Sequence, residues 1–274
     1  MVFGELKLHI SKLISKNIKE GIYRTVKKKY LELHEPSFDK DDINSVEKCL
    51  KCHFVSSFGE NISKFEKRIS QITKSKYVVC TNSGTSALHL SLIAAGVKSN
   101  EEVLVPSLTF VATANSIYYL SAIPHFVDVE QYNLGIDPKK LDDYLKKNTK
   151  IVNNRLININ TGKVISALIP VHLFGHPSKI IDLKNIAKKY GLILIEDAAE
   201  ALGSYHNRKH LGTFGKIGVL SFNGNKIITT GGGGALITNN KNLAIKARYL
   251  ATTAKKKHPF KFLHTEIGYN YRMP

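Results

Sequence analysis

Short apolar runs alternate with amphipathic segments along the chain from residue 77 onward. Short apolar runs bounded by turn residues are typical of buried strands, whereas apolar residues three or four positions apart predict helices. The predicted strands are 77–80, 103–105 (stopped by Pro106), 125–128, 167–171, 192–196, 217–222 and 235–238, and the predicted helices are 87–95, 113–120, 141–146, 183–190 and 243–250. Residues 151–165 are predicted to form a hairpin with its turn at 160–163. This alternation predicts βαβ units, and therefore an α/β fold with a mostly parallel central sheet flanked by helices.

The first 30 residues are basic and carry apolar residues at roughly helical spacing. These apolar residues are Leu6, Ile10, Leu13, Ile14 and Ile18. The pattern predicts an amphipathic helical extension, residues 1–30, ahead of a main domain, residues 31–274. Its apolar face could touch a membrane surface, but covering the protein's own core or a partner subunit is the commoner use. A further helix is predicted to begin after Asp39, whose side chain is typical of an N-cap.

Composition describes a globular protein with a sizeable core, because 43% of the 274 residues are hydrophobic and 23% are charged. No run of about 18 apolar residues occurs, so no membrane span is expected, and no pattern of a signal peptide is present. The net charge of +18 favours anionic partners such as phosphorylated small molecules. Since the basic residues are dispersed and no nucleic-acid-reading motif is recognisable, nucleic acid is not an expected partner.

The three cysteines are Cys49, Cys52 and Cys80. An odd number of cysteines without a secretory signal predicts a reducing, cytoplasmic location. Cys49, Cys52 and His53 match the spacing of a haem-attachment motif. The apolar residues around them read as one face of a helix, so we expect the cysteines to lie on and beside a helix without binding haem or metal.

Polar side chains follow several predicted strands at their carboxyl ends, where open parallel sheets bind ligands. Gly84-Thr85-Ser86 opens a helix after one strand, which suits a phosphate dianion, although Ser and Thr are also ordinary N-caps. Asp197 ends another strand and could bind a metal, a ribose or a protonated ring nitrogen. No grouping around it has the spacing of metal ligands, so no metal is expected. Phe110 could stack on a bound ring or simply pack in the core.

Lys226 lies between the apolar strand 217–222 and four consecutive glycines at 231–234. Glycine lets the backbone approach a ligand closely, so this lysine could contact a phosphate, form a Schiff base, or be a solvated turn residue. A phosphate cradle, a carboxylate, an aromatic ring and a lysine together are what pyridoxal 5'-phosphate (PLP) requires. The lysine forms the Schiff base and transfers protons, while the carboxylate keeps the ring nitrogen protonated.

Five stretches of the sequence resemble the nucleotide-sugar aminotransferases of PLP fold type I, the DegT family. They are 77–90, Val105-Pro106-Ser107-Leu108-Thr109-Phe110, Val171-His172-Leu173-Phe174-Gly175, Glu196-Asp197-Ala198-Ala199-Glu200-Ala201-Leu202-Gly203, and 221–234. Three others, 33–36, 54–59 and 222–226, resemble the LegC-like branch. That branch aminates 4-keto-6-deoxy nucleotide sugars on the way to bacillosamine or legionaminic acid. The resemblance covers most of residues 31–274.

The resemblance implies a role for each site residue. Lys226 would carry the cofactor, Asp197 would pair with its pyridine nitrogen, and Glu200 would lie near its ring hydroxyl, where many relatives have glutamine. Ser221 would help to hold the phosphate, and Asn270 would reach the phosphate of the partner subunit in a homodimer. Lys226 and Asp197 are the expected catalytic residues. The residues expected to bind the cofactor are Gly84, Thr85, Ser86, Phe110, Asp197, Glu200, Ser221, Lys226 and Asn270.

The function that the resemblance implies is PLP-dependent transamination of a nucleotide-linked 4-keto-6-deoxy sugar, with glutamate as amino donor, in cell-surface polysaccharide biosynthesis. Dehydratases of similar sequence carry histidine in place of the Schiff-base lysine, so Lys226 argues against that activity. The family continues past Arg272 into a C-terminal small domain, which we expect to be missing from this chain. The alternative is therefore a non-catalytic or impaired truncated homologue.

Overall fold

The computed structural model describes residues 2–26, 34–53, 56–57, 59–256 and 258–274. The chain divides into two units, Met1–Ser37 and Phe38–Pro274, each of which is described by itself. The first contains helix α1, Val2–Val26, on which the side chains of Leu13, Ile14 and Ile18 are exposed. The side chains of Leu6 and Ile10, and the predicted boundary at residue 30, lie outside the described residues.

The second unit alternates strands and helices as the hydrophobic pattern predicts. Its helices are α2 Lys40–Lys51, α3 Glu60–Thr73, α4 Gly84–Ala95, α5 Val111–Tyr118, α6 Pro138–Asn148, α7 Ile180–Tyr190 and α8 Lys241–Ala251. Its strands are β1 Tyr77–Thr81, β2 Glu102–Pro106, β3 Ile123–Val127, β4 Thr149–Val152, β5 Arg155–Asn158, β6 Val164–Leu168, β7 Ile193–Asp197, β8 Tyr205–His206, β9 Lys209–His210, β10 Ile217–Ser221, β11 Gly234–Thr238, β12 Lys255–Lys256 and β13 Leu263–His264.

The central sheet has the strand order β1-β11-β10-β7-β6-β2-β3. Strands β10, β7, β6, β2 and β3 are parallel to their neighbours in this series. Strand β11 is antiparallel to both β1 and β10, so β1 runs in the same direction as the parallel strands. The predicted α/β fold with a mostly parallel sheet is thus confirmed, and the carboxyl ends of six of these seven strands meet at one edge.

The observed strands differ from the predicted ones by at most two residues at either end, except β6, where each end differs by three. Strand β2 ends at Pro106 as predicted, and the proline is its last residue and pairs with Val127, since a proline can end a strand without disturbing the ladder before it. The strand predicted at 167–171 begins at Val164, because Val164 and Ile165 pair with β5 as the second arm of a hairpin. It ends before Pro170, which has no N–H to donate.

The predicted hairpin excursion is present but contains one more strand than expected. Strands β4 and β5 pair with each other, and β5 then pairs with β6 across the predicted turn. The additional reversal lies at Asn153 and Asn154, which both adopt positive φ, at 49° and 59°. Asparagine tolerates this left-handed conformation better than most residues, so this pair was the turn signal that sequence reasoning missed.

The core consists of buried side chains on both faces of the sheet. In β2, Leu104 belongs to one buried cluster while Val103 and Val105 belong to the other, because successive strand residues point to opposite faces. Helices cover both faces, which explains why the central strands read as continuous apolar runs. This arrangement leaves the polar residues to the strand ends.

Helix α2 begins as predicted after Asp39. The Asp39 side chain accepts a hydrogen bond from the Asp42 N–H at 2.9 Å, and the Asp42 side chain accepts one from the Asp39 N–H at 3.1 Å, which forms a capping box. Cys49 lies in this helix and Cys52 is its C-cap. Over the part of the chain that the structure describes, no helix combines the length and apolar character needed to cross a membrane.

Candidate active site

The polar segments predicted to follow the strands come together at the carboxyl edge of the sheet. Ser221 ends β10 and pairs with Gly234, which also pairs with Thr81 at the end of β1. In the neighbouring strand, Asp197 pairs with Val219 of β10. The phosphate segment, the carboxylate and the loop that carries Lys226 therefore follow adjacent strands.

The Asp197 carboxylate is held inside this edge with only 5% of the residue exposed. Its Oδ2 accepts a hydrogen bond from the Thr113 hydroxyl at 2.7 Å, and its Oδ1 accepts one from the Ala199 N–H at 3.2 Å. Burial raises the pKa of Asp197 above its ordinary value, and this effect is opposed by those two donors and by the nearby Lys226 and His172. An acid in this setting can stabilise a cationic group placed against it.

Lys226 lies in the loop between β10 and β11, where its own N–H donates to the Asn223 carbonyl at 3.0 Å. Its Nζ donates to Oε1 of Glu200 at 2.9 Å, and the lysine side chain is only 13% exposed. The other oxygen of Glu200 accepts the main-chain N–H of Phe174 at 2.8 Å. Lys226 is thus a sequestered amine with a defined carboxylate partner rather than a solvated turn residue.

The start of α4 packs against the end of β10 and forms the candidate phosphate cradle. A Cβ added to Gly84 would lie 2.9 Å from Cβ of Ser221, so only glycine permits this approach without a shift. Ser83 is the N-cap, and its Oγ accepts the Ser86 N–H at 3.0 Å. The N–H groups of Gly84 and Thr85 are in the first turn, where helical residues lack intrahelical acceptors and can bind an anion.

Gly234 is required for the same approach from the other side. A Cβ at this position would lie 2.4 Å from the carbonyl carbon of Ser83 and 2.5 Å from the nitrogen of Gly84. The last glycine of the run therefore lets β11 pass directly beneath the turn that opens α4. The glycine-rich segment and the Gly84 segment, which are far apart in sequence, are parts of one structure.

Phe110 is the N-cap residue of α5 and is 73% exposed, so its side chain does not pack in the core. The same helix carries Thr113, which contacts Asp197. Phe110 is therefore one helical turn away from the carboxylate and is available to cover a ligand. Its stacking role remains a prediction.

Asn270 lies beside the cradle of its own chain. Its carbonyl oxygen accepts from Nδ2 of the neighbouring Asn82 at 3.4 Å, and Oδ1 of its side chain accepts from Nη2 of Arg272 at 2.8 Å. The Asn82 N–H also donates to the Tyr271 carbonyl at 2.9 Å. Whether Asn270 serves the partner's site stays a prediction.

A buried pair that sequence reasoning missed lies behind the site. Nε2 of His172 donates to Oε2 of Glu196 at 3.0 Å, and neither side chain is exposed. Nδ1 of His172 accepts the Ser178 N–H at 3.2 Å, which places the ring proton on Nε2. Because the His172 N–H also donates to the Asp197 carbonyl at 3.0 Å, the pair fixes the turn after β6 against the end of β7.

Within the described ranges, no group of three or more His, Cys, Asp and Glu side chains could hold a metal ion. The arrangement of the candidate site suits a ligand with two parts. A phosphate would bind at the start of α4, and a ring would lie between Asp197 and Lys226.

The chain is similar to a known family of aminotransferases. Residues 36–274 match the DegT/DnrJ/EryC1/StrS aminotransferase family. GDP-perosamine synthase of Escherichia coli O157:H7 is 36% identical over 245 residues, which cover 89% of this chain and 63% of that protein. The chain spans 60–63% of the length of three curated relatives that it matches.

Solved structures are similar over the same region. The aminotransferase from Psychrobacter cryohalolentis has a TM-score of 0.76 at 29% identity, covering 87% of this chain and 59% of that one. NtdA from Bacillus subtilis, with bound cofactor PMP, has a TM-score of 0.71 at 27% identity, covering 90% and 55%. These similarities confirm the predicted PLP fold type I. On the family match over residues 36–274, the chain belongs to the DegT/DnrJ/EryC1/StrS aminotransferase family.

Proposed function

We propose that this protein is a PLP-dependent aminotransferase that transfers an amino group from an amino acid to a keto group of a nucleotide-linked sugar. The observation that carries the proposal is the meeting of Lys226, Asp197 and the Gly84–Ser221 contact at one edge of the sheet. Membership of the aminotransferase family supports the same activity.

The residues present fit PLP on three structural grounds. The contact between Gly84 and Ser221 leaves no room for a side chain, and the first N–H groups of α4, which lack intrahelical acceptors, can bind an anion. Asp197 offers a buried carboxylate to a ring nitrogen. Lys226 offers a primary amine that is partly shielded and is neighboured by a carboxylate.

When bound, PLP supplies an electron-accepting ring and carries the amino group between the two substrates. Gly84, Thr85 and Ser86 would hold its phosphate, together with Ser221. Asp197 would keep a proton on the ring nitrogen because its carboxylate is buried and already oriented by Thr113. Lys226 would bind the cofactor through Nζ and would move the proton at the substrate carbon.

The substrates that we propose are glutamate as donor and a nucleotide-linked 4-keto-6-deoxy sugar as acceptor. Glutamate would leave as 2-oxoglutarate, and the C4 carbonyl of the sugar would become an amine. The similarity to GDP-perosamine synthase supports a nucleotide-linked acceptor, as does the net charge of +18, which favours a diphosphate.

The test compares acceptors with and without the nucleotide. The protein supplied with PLP and glutamate should form 2-oxoglutarate and an amino sugar with nucleotide-linked 4-keto-6-deoxy sugars. Free 4-keto-6-deoxy sugar should react far more slowly. Equal rates would refute the nucleotide-sugar assignment, and absence of PLP binding by the wild-type protein would refute the proposed function as a whole.

We further propose a homodimer in which Asn270 of one copy completes the phosphate site of the other. The exposed apolar side chains of Phe110, Phe174 and Ile227, on segments that follow the strand ends, support burial by a second copy. Mixing the inactive variants Lys226→Ala and Asn270→Ala should restore activity, because one mixed site then contains both residues. No recovery from subunits shown to exchange would place Asn270 in the site of its own chain.

A further inference from the structure

A line of two hydroxyl groups leads from Thr109, just before α5, through Thr113 to the Asp197 carboxylate. Oγ1 of Thr113 is 2.7 Å from Oδ2 of Asp197, and Oγ1 of Thr109 is 2.8 Å from Oγ1 of Thr113. Thr113 is completely buried. Its side chain is therefore shielded from water, and these two oxygens are its hydrogen-bonding neighbours.

The direction of the hydrogen bonds follows from the chemistry of the groups. An ionised carboxylate can only accept, so the single hydroxyl proton of Thr113 must point to Asp197. The Thr113 oxygen is then free to accept the proton of the Thr109 hydroxyl at 2.8 Å, since the other acceptor near Thr109, the Phe110 carbonyl, is more distant at 3.3 Å. This donation polarises the Thr113 hydroxyl and strengthens its bond to the carboxylate.

The backbone of α5 fixes Thr113 in this position. The Thr113 N–H donates to the Phe110 carbonyl at 3.1 Å, and the Ser116 hydroxyl donates to the Thr113 carbonyl at 2.8 Å. Thr113 occupies the first turn of the helix, so the donor reaches Asp197 from a rigid element and not from a mobile loop. The other donor to Asp197, the Ala199 N–H, is more distant at 3.2 Å.

We propose that Thr113, supported by Thr109, is a positioning residue that keeps Asp197 ionised and oriented before any cofactor binds. A charged carboxylate is costly to bury unless donors compensate for the lost water. The short contact from Thr113 provides this compensation at Oδ2. The inference rests on the proposed function, because there the ionised Asp197 is the partner of the cofactor's ring nitrogen.

The charged or titratable side chains near Asp197 come from three elements. They are Lys226 in the loop after β10, His172 after β6, and Glu196 and Glu200 on either side of Asp197 in its own segment. All four are unchanged in the Thr113 variants proposed below. A shift in the titration of Asp197 would therefore report the lost hydroxyl.

The experiment is a carbon-13 NMR titration of the Asp197 carboxyl in cofactor-free protein, with the resonance assigned by Asp197→Asn. Thr113→Val keeps the shape of the side chain but removes the donor, so the midpoint should rise by about one to two pH units. Thr113→Ser should restore the wild-type midpoint. Thr109→Val should raise it by a smaller amount, because Thr113 still donates.

Ser91→Ala is the control, since it removes a buried hydroxyl that donates to the Ala87 carbonyl within α4 and is hydrogen-bonded neither to Asp197 nor to Thr113. It should leave the midpoint unchanged. An unchanged midpoint in Thr113→Val, or an equal rise in Ser91→Ala, would overturn the proposal. If Thr113→Val does not fold, Thr109→Val provides the test. A titration midpoint of Asp197 that does not rise in Thr109→Val would contradict the proposed support of Thr113 by Thr109. As no cofactor is present, the result is independent of whether the protein binds PLP.

Discussion

Nζ of Lys226 lies 2.9 Å from Oε1 of Glu200, whose second oxygen accepts the main-chain N–H of Phe174. This one carboxylate therefore connects the turn after β6, the segment after β7 and the loop after β10. The connection orients the Lys226 amine, and the lysine side chain is 13% exposed.

Lys226 should be the residue that binds PLP covalently. We expect a yellow protein whose visible band is lost on borohydride reduction, which should leave a pyridoxyl group on the peptide that contains Lys226. Lys226→Ala should abolish both the label and turnover. Lys139→Ala, at an exposed lysine of α6, is the control and should be labelled as the wild type. A label on a peptide without Lys226 would contradict the assignment.

Local patterns in the sequence predicted the strands of the central sheet, the helices other than α3, and the residues at the strand ends. They succeeded because a buried parallel strand is a continuous apolar run, and because Gly84 and Lys226 lie within recognisable turn segments. Glu200 was expected near the cofactor's ring hydroxyl, but its contact with Lys226 was not anticipated. That contact depends on two loops meeting across the sheet, which no local pattern encodes.

The residues that support the site were missed for the same reason. The apolar pattern identifies Thr113 only as part of a helix, and its contact with Thr109 depends on the path of the chain just before the helix begins at Val111. The sequence places Glu196 next to Asp197 but does not indicate its partner. Its burial against His172 follows from the alternation of side chains along β7, which turns Glu196 away from Asp197. Recognising such partners requires the packing of the elements and not only their order.

Gly84→Ala should weaken cofactor binding. The added methyl group would lie 2.9 Å from Cβ of Ser221, so α4 must move away from β10 and its N–H groups must leave the phosphate position. We expect the dissociation constant for PLP to rise about tenfold or more, measured by absorbance titration. Gly224→Ala, where a methyl group meets no atom within 4 Å, is the control. Equal affinity in the two variants would contradict the cradle.

Asp197→Asn should separate cofactor binding from turnover. Asparagine can still accept the Thr113 hydrogen bond through its amide oxygen, and the phosphate cradle is a different part of the site. The neutral side chain cannot stabilise a protonated ring nitrogen, so turnover should fall by about 100-fold or more while PLP absorbance is retained. An Asp197→Asn variant with wild-type turnover would refute the electrostatic role.

Glu196→Gln should destabilise the fold more than a comparable change at the surface. The two oxygens of Glu196 accept from His172, from the Gly212 N–H at 2.8 Å and from the Gly215 N–H at 2.6 Å. In glutamine, one of these oxygens becomes an NH2 group. That group cannot accept a hydrogen bond, so at least one of the three N–H donors loses its acceptor. The free energy of unfolding should therefore fall by about 3 kcal/mol, measured by urea denaturation. Glu47→Gln, in an exposed pair with Lys51, should cost less than about 1 kcal/mol. Similar losses of unfolding free energy in the two variants would contradict a stabilising role of the three hydrogen bonds to Glu196.

His89 should make the protein less stable in acid. Its ring is 3% exposed and stacks edge-to-face with Tyr119, Tyr269 and Tyr271. Its Nδ1 is 2.9 Å from the Tyr271 hydroxyl, and Nε2 has no hydrogen-bond partner among the described residues. This burial lowers the pKa of His89 from 6.5 to about 4. The folded protein therefore resists protonation at a pH where the unfolded chain accepts a proton.

The lowered pKa of His89 decreases the free energy of unfolding as the pH falls. Well above pH 6.5, near pH 8, the histidine is neutral in both states, so it adds no pH dependence. As the pH falls from 6.5 toward 4, only the unfolded state gains the proton, and the free energy of unfolding must decrease. His89→Phe keeps an aromatic ring but cannot be protonated. The variant should lose this part of the pH dependence, even if its stability at pH 8 is lower because the Tyr271 hydroxyl has lost its partner.

The measurement is urea denaturation of the wild type and of His89→Phe at several pH values between 4 and 8. The difference in unfolding free energy between the two proteins should be constant above pH 6.5 and should shift in favour of the variant below it. Burial also lowers the pKa of His210, but this contribution is common to both proteins and cancels in the difference. A difference that stays constant down to pH 4 would show that His89 accepts a proton equally well in the folded and unfolded states. That result would contradict the lowered pKa of His89.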